Sequence, residues 1–428
     1  MLRSSAMSNI LLELASSRRR GQPLGIYSVC SAHHWVLEAA CHQAVEDRSV
    51  LLVEATANQV NHRGGYTGMT PADFRRCVAD IARERKLPSE RLILGGDHLG
   101  PNPWRHLPAK EAMEQAASTV RSYVRAGFLK IHLDASMACA DDSSPLSGQT
   151  IAERAAVLCA VSEKESGEQK PLYVIGTEVP APGGATEKLG SLTVTTQESA
   201  AQTLAVHRRI FEQMALGHVW PRVIALVVQP GVEFDHTCVV DYDPARTVHL
   251  SALLDREEAL VYEAHSTDYQ KPQAYRQLVH AGFAILKVGP ALTFAMREAL
   301  HALAQIEAEL LPRGQCSQLP QVIERVMLRN RRDWEQHYTG DERALRLLRR
   351  YSYSDRVRYY WINPEVQQAV ETLLSNLRRV AIPETMLSAF LPDQYRAVRA
   401  GTLQADPHSL ILHRIRQVLL PYAQACAP

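Results

Sequence analysis

The chain has 428 residues, with 46% hydrophobic residues and 47 basic against 46 acidic side chains. That balance belongs to a globular protein and excludes a global field for nucleic acid or an anionic membrane, so an anionic substrate must be met locally. The first twenty residues hold only a short apolar stretch, Ile10-Leu11-Leu12, too short for a signal core or a membrane span, and the eight cysteines are dispersed without a CxxC pair. A cytoplasmic protein with reduced thiols is expected, with no nucleic-acid or membrane partner.

In chain order, short apolar runs at 24–30, 50–55, 92–96, 129–134, 172–178, 223–229, 260–265 and 284–288 predict eight strands. Amphipathic stretches separate them. One is 71–85, with Thr70 as N-cap and Pro71 at the first helical position; another is 110–126. Strand and helix alternating to eight is the pattern of a (β/α)8 TIM barrel, and continuous apolar runs suit a parallel sheet buried on both faces. A doubly wound open sheet is the competing arrangement. It would carry a glycine-rich dinucleotide turn after the first strand, but Ser28-Val29-Cys30-Ser31-Ala32-His33-His34 has no glycine, and no nucleotide cofactor is expected.

The expected α/β architecture is therefore a barrel over 1–295 with an all-helical C-terminal extension over 296–428 packed on it. Helical patterns at 297–311, 318–329, 342–350, 364–379 and 408–422 are separated by proline and glycine breaks.

In a barrel the C-terminal strand ends build the active site, so polar residues there are unexpected if the strands merely fill a core. Nearly every strand here ends in one: Glu54, Asp97 with His98, His132 with Asp134, Glu178, Gln229, Glu263 with His265, and Lys287. Burying such groups without partners costs several kcal/mol, on the order of 2–7 even for neutral ones, so their convergence points to a site for a metal and a polyol. Asp97-His98 can supply a metal ligand beside an acid/base, and Gly95-Gly96 before it lets backbone approach closely. His98, Glu178 and His265 form a candidate three-ligand open metal site, for zinc, manganese or nickel. Asp97 is the candidate proton carrier, with Asp134 and Lys287 as further catalytic candidates and Glu54, His132, Gln229 and Glu263 as sugar-binding candidates. Two other readings stay open: a buried salt-bridge layer without metal, and a Schiff base on Lys130 or Lys287.

Two glycine-bearing loops, His62 to Gly68 and Pro180 to Gly184, could offer backbone N–H groups to a phosphate. In the tail, Arg349 to Trp361 mixes arginines with aromatics, as a nucleic-acid or sugar-phosphate surface, or a helix packed on the barrel, would.

The runs Glu54-Ala55-Thr56-Ala57-Asn58-Gln59, Gly65-Tyr66-Thr67-Gly68-Met69-Thr70-Pro71, Gly95-Gly96-Asp97-His98-Leu99-Gly100-Pro101 and Lys130-Ile131-His132-Leu133-Asp134-Ala135-Ser136 resemble the GatZ/KbaZ proteins. So do Gly176-Thr177-Glu178-Val179-Pro180, Gln229-Pro230-Gly231-Val232, Glu263-Ala264-His265-Ser266-Thr267-Asp268 and Lys287-Val288-Gly289-Pro290. This is the Z-subunit family of class II D-tagatose-1,6-bisphosphate aldolases. The resemblance spans nearly the whole chain and implies an accessory, non-catalytic role in carbohydrate catabolism. It further implies a hetero-oligomer in which this chain supports the activity and stability of a Y-type class II aldolase subunit, a lyase; self-association is a further expectation. A more distant resemblance is to the catalytic class II aldolases. Asp97-His98, Asp134, Glu178 with Gly183-Gly184, and His265 look like their strand-end residues, but Gln229 stands on the sixth strand where they place a metal histidine. The enzyme alternative is a metal-dependent ketose 4-epimerase or aldolase acting on tagatose, fructose or their phosphates. No Walker A sequence or kinase glycine loop is present.

Overall fold

The computed structural model describes residues 9–180 and 192–427. Eight parallel strands close into a barrel: Ile26–Val29, Leu51–Thr56, Leu92–Leu99, Lys130–Leu133, Leu172–Ile175, Val223–Val227, Val261–Ala264 and Ile285–Val288. The first and eighth pair from Ile26 opposite Ile285 to Val29 opposite Val288. Each strand coincides with an expected run, the second extending one residue past it to Thr56 and the third three residues to Leu99, and the (β/α)8 barrel with a helical C-terminal part is the fold. A short hairpin, Glu233–Phe234 with Val239–Val240, follows the sixth strand and was not expected.

Strand side chains alternate between two surroundings. Tyr27, Val29, Leu51, Val53, Leu94 and Ile131 join the apolar layer shared with the surrounding helices. Ile26, Leu52, Ile93, Leu172, Val261 and Ile285 form a second apolar cluster inside the barrel, to which the N-terminal helix Asn9–Arg19 adds Leu11, Leu14 and Ala15. Two residues farther along several of these strands the inward positions turn polar: Glu54 after Leu52, Glu263 after Val261 and Lys287 after Ile285. An apolar floor therefore underlies a charged layer toward the strand C-termini.

The helix after the eighth strand, Pro290–Leu310, is continuous through position 295/296, where the sequence alone suggested a division. Beyond it come Leu319–Arg329, Glu342–Tyr351, Pro364–Arg379, Glu384–Phe390, Pro392–Arg399 and Pro407–Cys426. The sequence reading missed the two short ones at 384–399. The last helix packs on the first strand and on the helices His34–Asp47, Pro272–His280 and Pro290–Leu310. Tyr422 lies with its ring centroid 3.9 Å from that of Tyr275 and bonds to Thr267, while Gly25 leaves just enough room for Cys426. The end of the chain thus closes the ring of helices beside the first strand. Among the described residues no helix is long and apolar enough to cross a membrane.

Candidate active site

The third strand carries the centre of the site. In regular strand geometry Asp97 and His98 would face opposite sides, but the pairing with the fourth strand shifts register between Gly96 and Leu99, and His98 adopts a positive φ of 47°. This left-handed conformation costs a non-glycine residue about 1 kcal/mol or more, and it brings both side chains into the barrel. The flanking glycines make room. A Cβ at Gly95 would lie 2.8 Å from Glu54 Cγ, and one at Gly100 would fall 1.5 Å from the Asp134 carbonyl oxygen.

Beneath the pocket lies a fully buried ionic layer. Lys130 Nζ stands 2.6 Å from both Glu54 and Glu263. Lys287 Nζ pairs with Glu54 and lies 3.0 Å from Asp97 Oδ1 and 3.8 Å from Glu263. Burial acts to lower both ammonium pKa values, but Glu263 and Glu54 around Lys130, and Asp97, Cys30, Glu54 and Glu263 around Lys287, raise them above the ordinary lysine value. Burial likewise opposes ionisation of Asp97 and Glu263, yet the neighbouring ammonium groups hold both well below the usual carboxylate range.

Three imidazoles sit above this layer with ring centroids 4.9 to 5.3 Å apart: His98, His132 and His265. Each has one nitrogen on a carboxylate. His98 Nδ1 is 2.7 Å from Asp134, His132 Nδ1 is 2.9 Å from Asp97, and His265 Nε2 is 3.0 Å from Glu263. Asp134 is itself fixed by the N–H and hydroxyl of Ser136. Because an ionised carboxylate only accepts, Nδ1 of His98 and Nε2 of His265 donate to Asp134 and Glu263, whereas His132 Nδ1 meets both Asp97 Oδ1 at 2.9 Å and the His98 backbone N–H at 3.2 Å. Burial keeps His265 down at about 4, hence neutral. In His98 burial is outweighed by Asp97 and Asp134, and the pKa rises.

The arrangement fits a metal ion on two observations. His132 Nε2 is buried with no hydrogen-bond partner, and histidines oriented by carboxylates are the usual surroundings of metal-ligating imidazoles. Moreover, four carboxylates, Glu54, Asp97, Asp134 and Glu263, face only two ammonium groups, an excess of buried negative charge that a cation would offset. One ligand-capable atom from each of Asp97, His132, Glu263 and His265 lies within 4.8 Å of the others.

The strand-end residues singled out from the sequence do not all meet. Asp97, His98, His265 and Lys287 line a cavity of about 120 Å³ at the barrel mouth. Glu54, His132 and Glu263 lie beneath it, fully buried, and Asp134 stands behind His98. Glu178 is not brought to the cluster: the fifth strand ends at Ile175, and the exposed Glu178 carboxylate accepts from the hydroxyls of Thr195 and Ser199. Gln229 likewise lies past its strand, where its carboxamide oxygen accepts from Gly231 and Val232 N–H and shapes the turn. Gly183 and Gly184 fall outside the described residues.

The cavity wall also includes Cys30 and His33, which sequence reasoning did not place in the site, Tyr66 from the loop read as a phosphate candidate, and Arg358, Tyr359 and Trp361 from the stretch read as either a sugar-phosphate surface or packing. The last three belong to the C-terminal region. The aromatic-rich stretch crosses the barrel mouth, with Tyr353 N–H bonded to the His236 carbonyl, Tyr269 Oη to the Tyr353 carbonyl, and the Tyr359 ring 4.7 Å from that of Tyr66. Asp355 anchors it from below by accepting from Arg297 at 2.8 Å and Thr293 at 2.6 Å. The Arg-Tyr composition was the available signal for this wall, although composition alone could not separate pocket from packing.

Comparison with known proteins accords with this architecture. A crystal structure of a probable tagatose 6 phosphate kinase from Sinorhizobium meliloti 1021 is 48% identical, with a TM-score of 0.87, over 94% of this chain and 100% of that one. A fructose-bisphosphate aldolase from Campylobacter jejuni is 13% identical with a TM-score of 0.46, over 90% of this chain and 95% of the other, too distant to carry an argument. Residues 11–427 match the family described as D-tagatose-1,6-bisphosphate aldolase subunit GatZ/KbaZ-like, and the chain belongs to that family.

Proposed function

We propose that this chain holds a divalent cation among Asp97, His132 and His265 and performs ketose chemistry in its own pocket, either aldol cleavage or epimerisation through it. The observation that carries this reading is the triangle of three carboxylate-oriented imidazoles with an unsatisfied His132 Nε2 at its base. Zinc, manganese or nickel suits such a nitrogen and carboxylate set. Bound there, the cation would supply Lewis acidity toward a ketose carbonyl and its neighbouring hydroxyl. The chain's own groups divide the remaining work. His98, on the cavity surface with Asp134 holding its Nδ1, is placed to accept or return a substrate proton at Nε2. Asp97, held ionised, orients His132, and Lys287 stays charged to stabilise negative charge on the sugar oxygens.

A second reading is favoured by the family match across 11–427: the chain supports a Y-type aldolase subunit in a hetero-oligomer. The two readings separate in one experiment. The purified chain alone is assayed for interconversion and cleavage of tagatose, fructose and their phosphates with each metal, and His98→Ala is tested both alone and with a Y-type aldolase. Turnover lost in His98→Ala supports the enzyme; an inert wild type whose His98→Ala variant still boosts the aldolase supports the accessory role.

A further inference from the structure

The C-terminal region gives the cavity a cation, Arg358, that forms no ion pair among the described residues. Arg358 donates to the carbonyls of Ser354 and Asp355, and its Nη2 lies 3.0 Å from Tyr359 Oη, while its guanidinium stacks 4.6 Å from the Tyr359 ring centre. Among the described residues no carboxylate forms an ion pair with it. Two neighbouring acids are bonded elsewhere. Asp355 takes Arg297 and Thr293, and Asp268 accepts from the N–H groups of Gly289 and Ala291 at the start of Pro290–Leu310.

Charge is therefore distributed unevenly along the cavity. Its barrel end rests on a layer with more carboxylates than ammonium groups, whereas its outer wall presents an unpaired guanidinium beside the phenols of Tyr66 and Tyr359. An anionic group on a ligand is drawn to the guanidinium at the second end. A guanidinium fork also matches the oxygens of a phosphate better than it matches a neutral hydroxyl.

We propose that Arg358 binds a phosphate monoester carried by the substrate at the end remote from its carbonyl, so that the C-terminal region selects phosphorylated over free sugars. This rests on the reading that a ketose occupies the cavity. It assigns the C-terminal extension a share in substrate recognition besides its packing.

The test uses the full-length protein, with inorganic phosphate as the first probe because phosphate binding needs neither metal nor turnover. Millimolar phosphate is expected to raise the melting temperature of the wild type and not that of Arg358→Met. In calorimetry, the preference for D-tagatose 6-phosphate over D-tagatose should fall roughly 10- to 100-fold in Arg358→Met, as loss of a charge-assisted hydrogen bond predicts. Should Arg358→Met fail to fold, Arg358→Lys carries the test, with a smaller loss of the same preference from removal of the fork. An unchanged preference in the folded variant, or equal phosphate stabilisation of both proteins, overturns the proposal. A protein that binds phosphate through Arg358 but transforms no ketose would sink the enzyme reading while leaving the phosphate site standing.

Discussion

An amine attacks a ketose carbonyl only as the free base, and neither buried lysine can supply one. Lys130 and Lys287 are clasped by Glu54, Glu263 and Asp97, which keep both protonated. Borohydride added with any hexulose or its phosphate should therefore leave no covalent adduct by mass spectrometry; a trapped adduct on either lysine would restore the Schiff-base chemistry. The same clasp gives Lys287 a structural role besides its charge at the cavity. Lys287→Met strands buried carboxylates, and an apparent loss of about 3–5 kcal/mol in denaturant unfolding is expected. The pH dependence of folding has a separate source. Burial holds His33 and His207 down at about 4 and His301 at about 3, against about 6.5 in an unfolded chain. Below 6.5 the unfolded chain binds more protons than the folded one. Stability from these groups is thus complete above pH 6.5 and is lost as pH falls toward 4. Melting temperatures should drop across that window, and His207→Leu should flatten the drop; a profile flat from 7 to 4.5 would contradict this.

At the scale of elements, the third strand shows how much of the site was legible. Asp97, Glu263, His265 and Lys287 follow the two-residue alternation of their strands from inward apolar positions, so the sequence placed them correctly inside the barrel. Glu178 and Gln229 were read as strand-end residues, but the fifth and sixth strands end at Ile175 and Val227, and past a strand end alternation no longer dictates direction. His132 obeys the alternation yet was assigned to the sugar, because only the fold reveals that it lies beneath the cavity with a free nitrogen. The bulge that turns His98 inward depends on its glycines. Gly100→Ala would drive a Cβ into the Asp134 carbonyl, and a destabilisation of about 3 kcal/mol or more is expected in thermal unfolding. Gly148→Ala, where nothing lies within 4 Å, is the control and should melt near the wild type.

For the whole molecule, the helical C-terminal region and the barrel are structurally interdependent. The last helix buries Leu410, Ile411, Ile415, Leu419 and Tyr422, and Tyr422 reaches the loop after the seventh strand through Thr267. A chain ending at 400 would uncover this surface of the barrel, and it is expected to be insoluble or to lose cooperative unfolding. A folded, soluble truncation would contradict the role of that helix in closing the ring. The sequence predicts that the tail packs on the barrel but not which helix does so, because 408–422 reads as one amphipathic helix among several and its partner surface is distant in the chain. Tail and barrel also meet at the mouth, where Arg358, Tyr359 and Trp361 complete the cavity whose base is the three-histidine cluster.

That cluster is the centre of the account, and metal content tests it most directly. The full-length protein, purified without chelating steps and then titrated with zinc, manganese and nickel, should bind about one divalent ion per chain. His132→Ala should abolish that binding, and Glu263→Gln should weaken it by about 10- to 100-fold through the loosened His265. Failure of the wild type to bind any of the three ions, or His132→Ala binding as tightly as the wild type, would contradict the account and leave the buried layer as a purely ionic core.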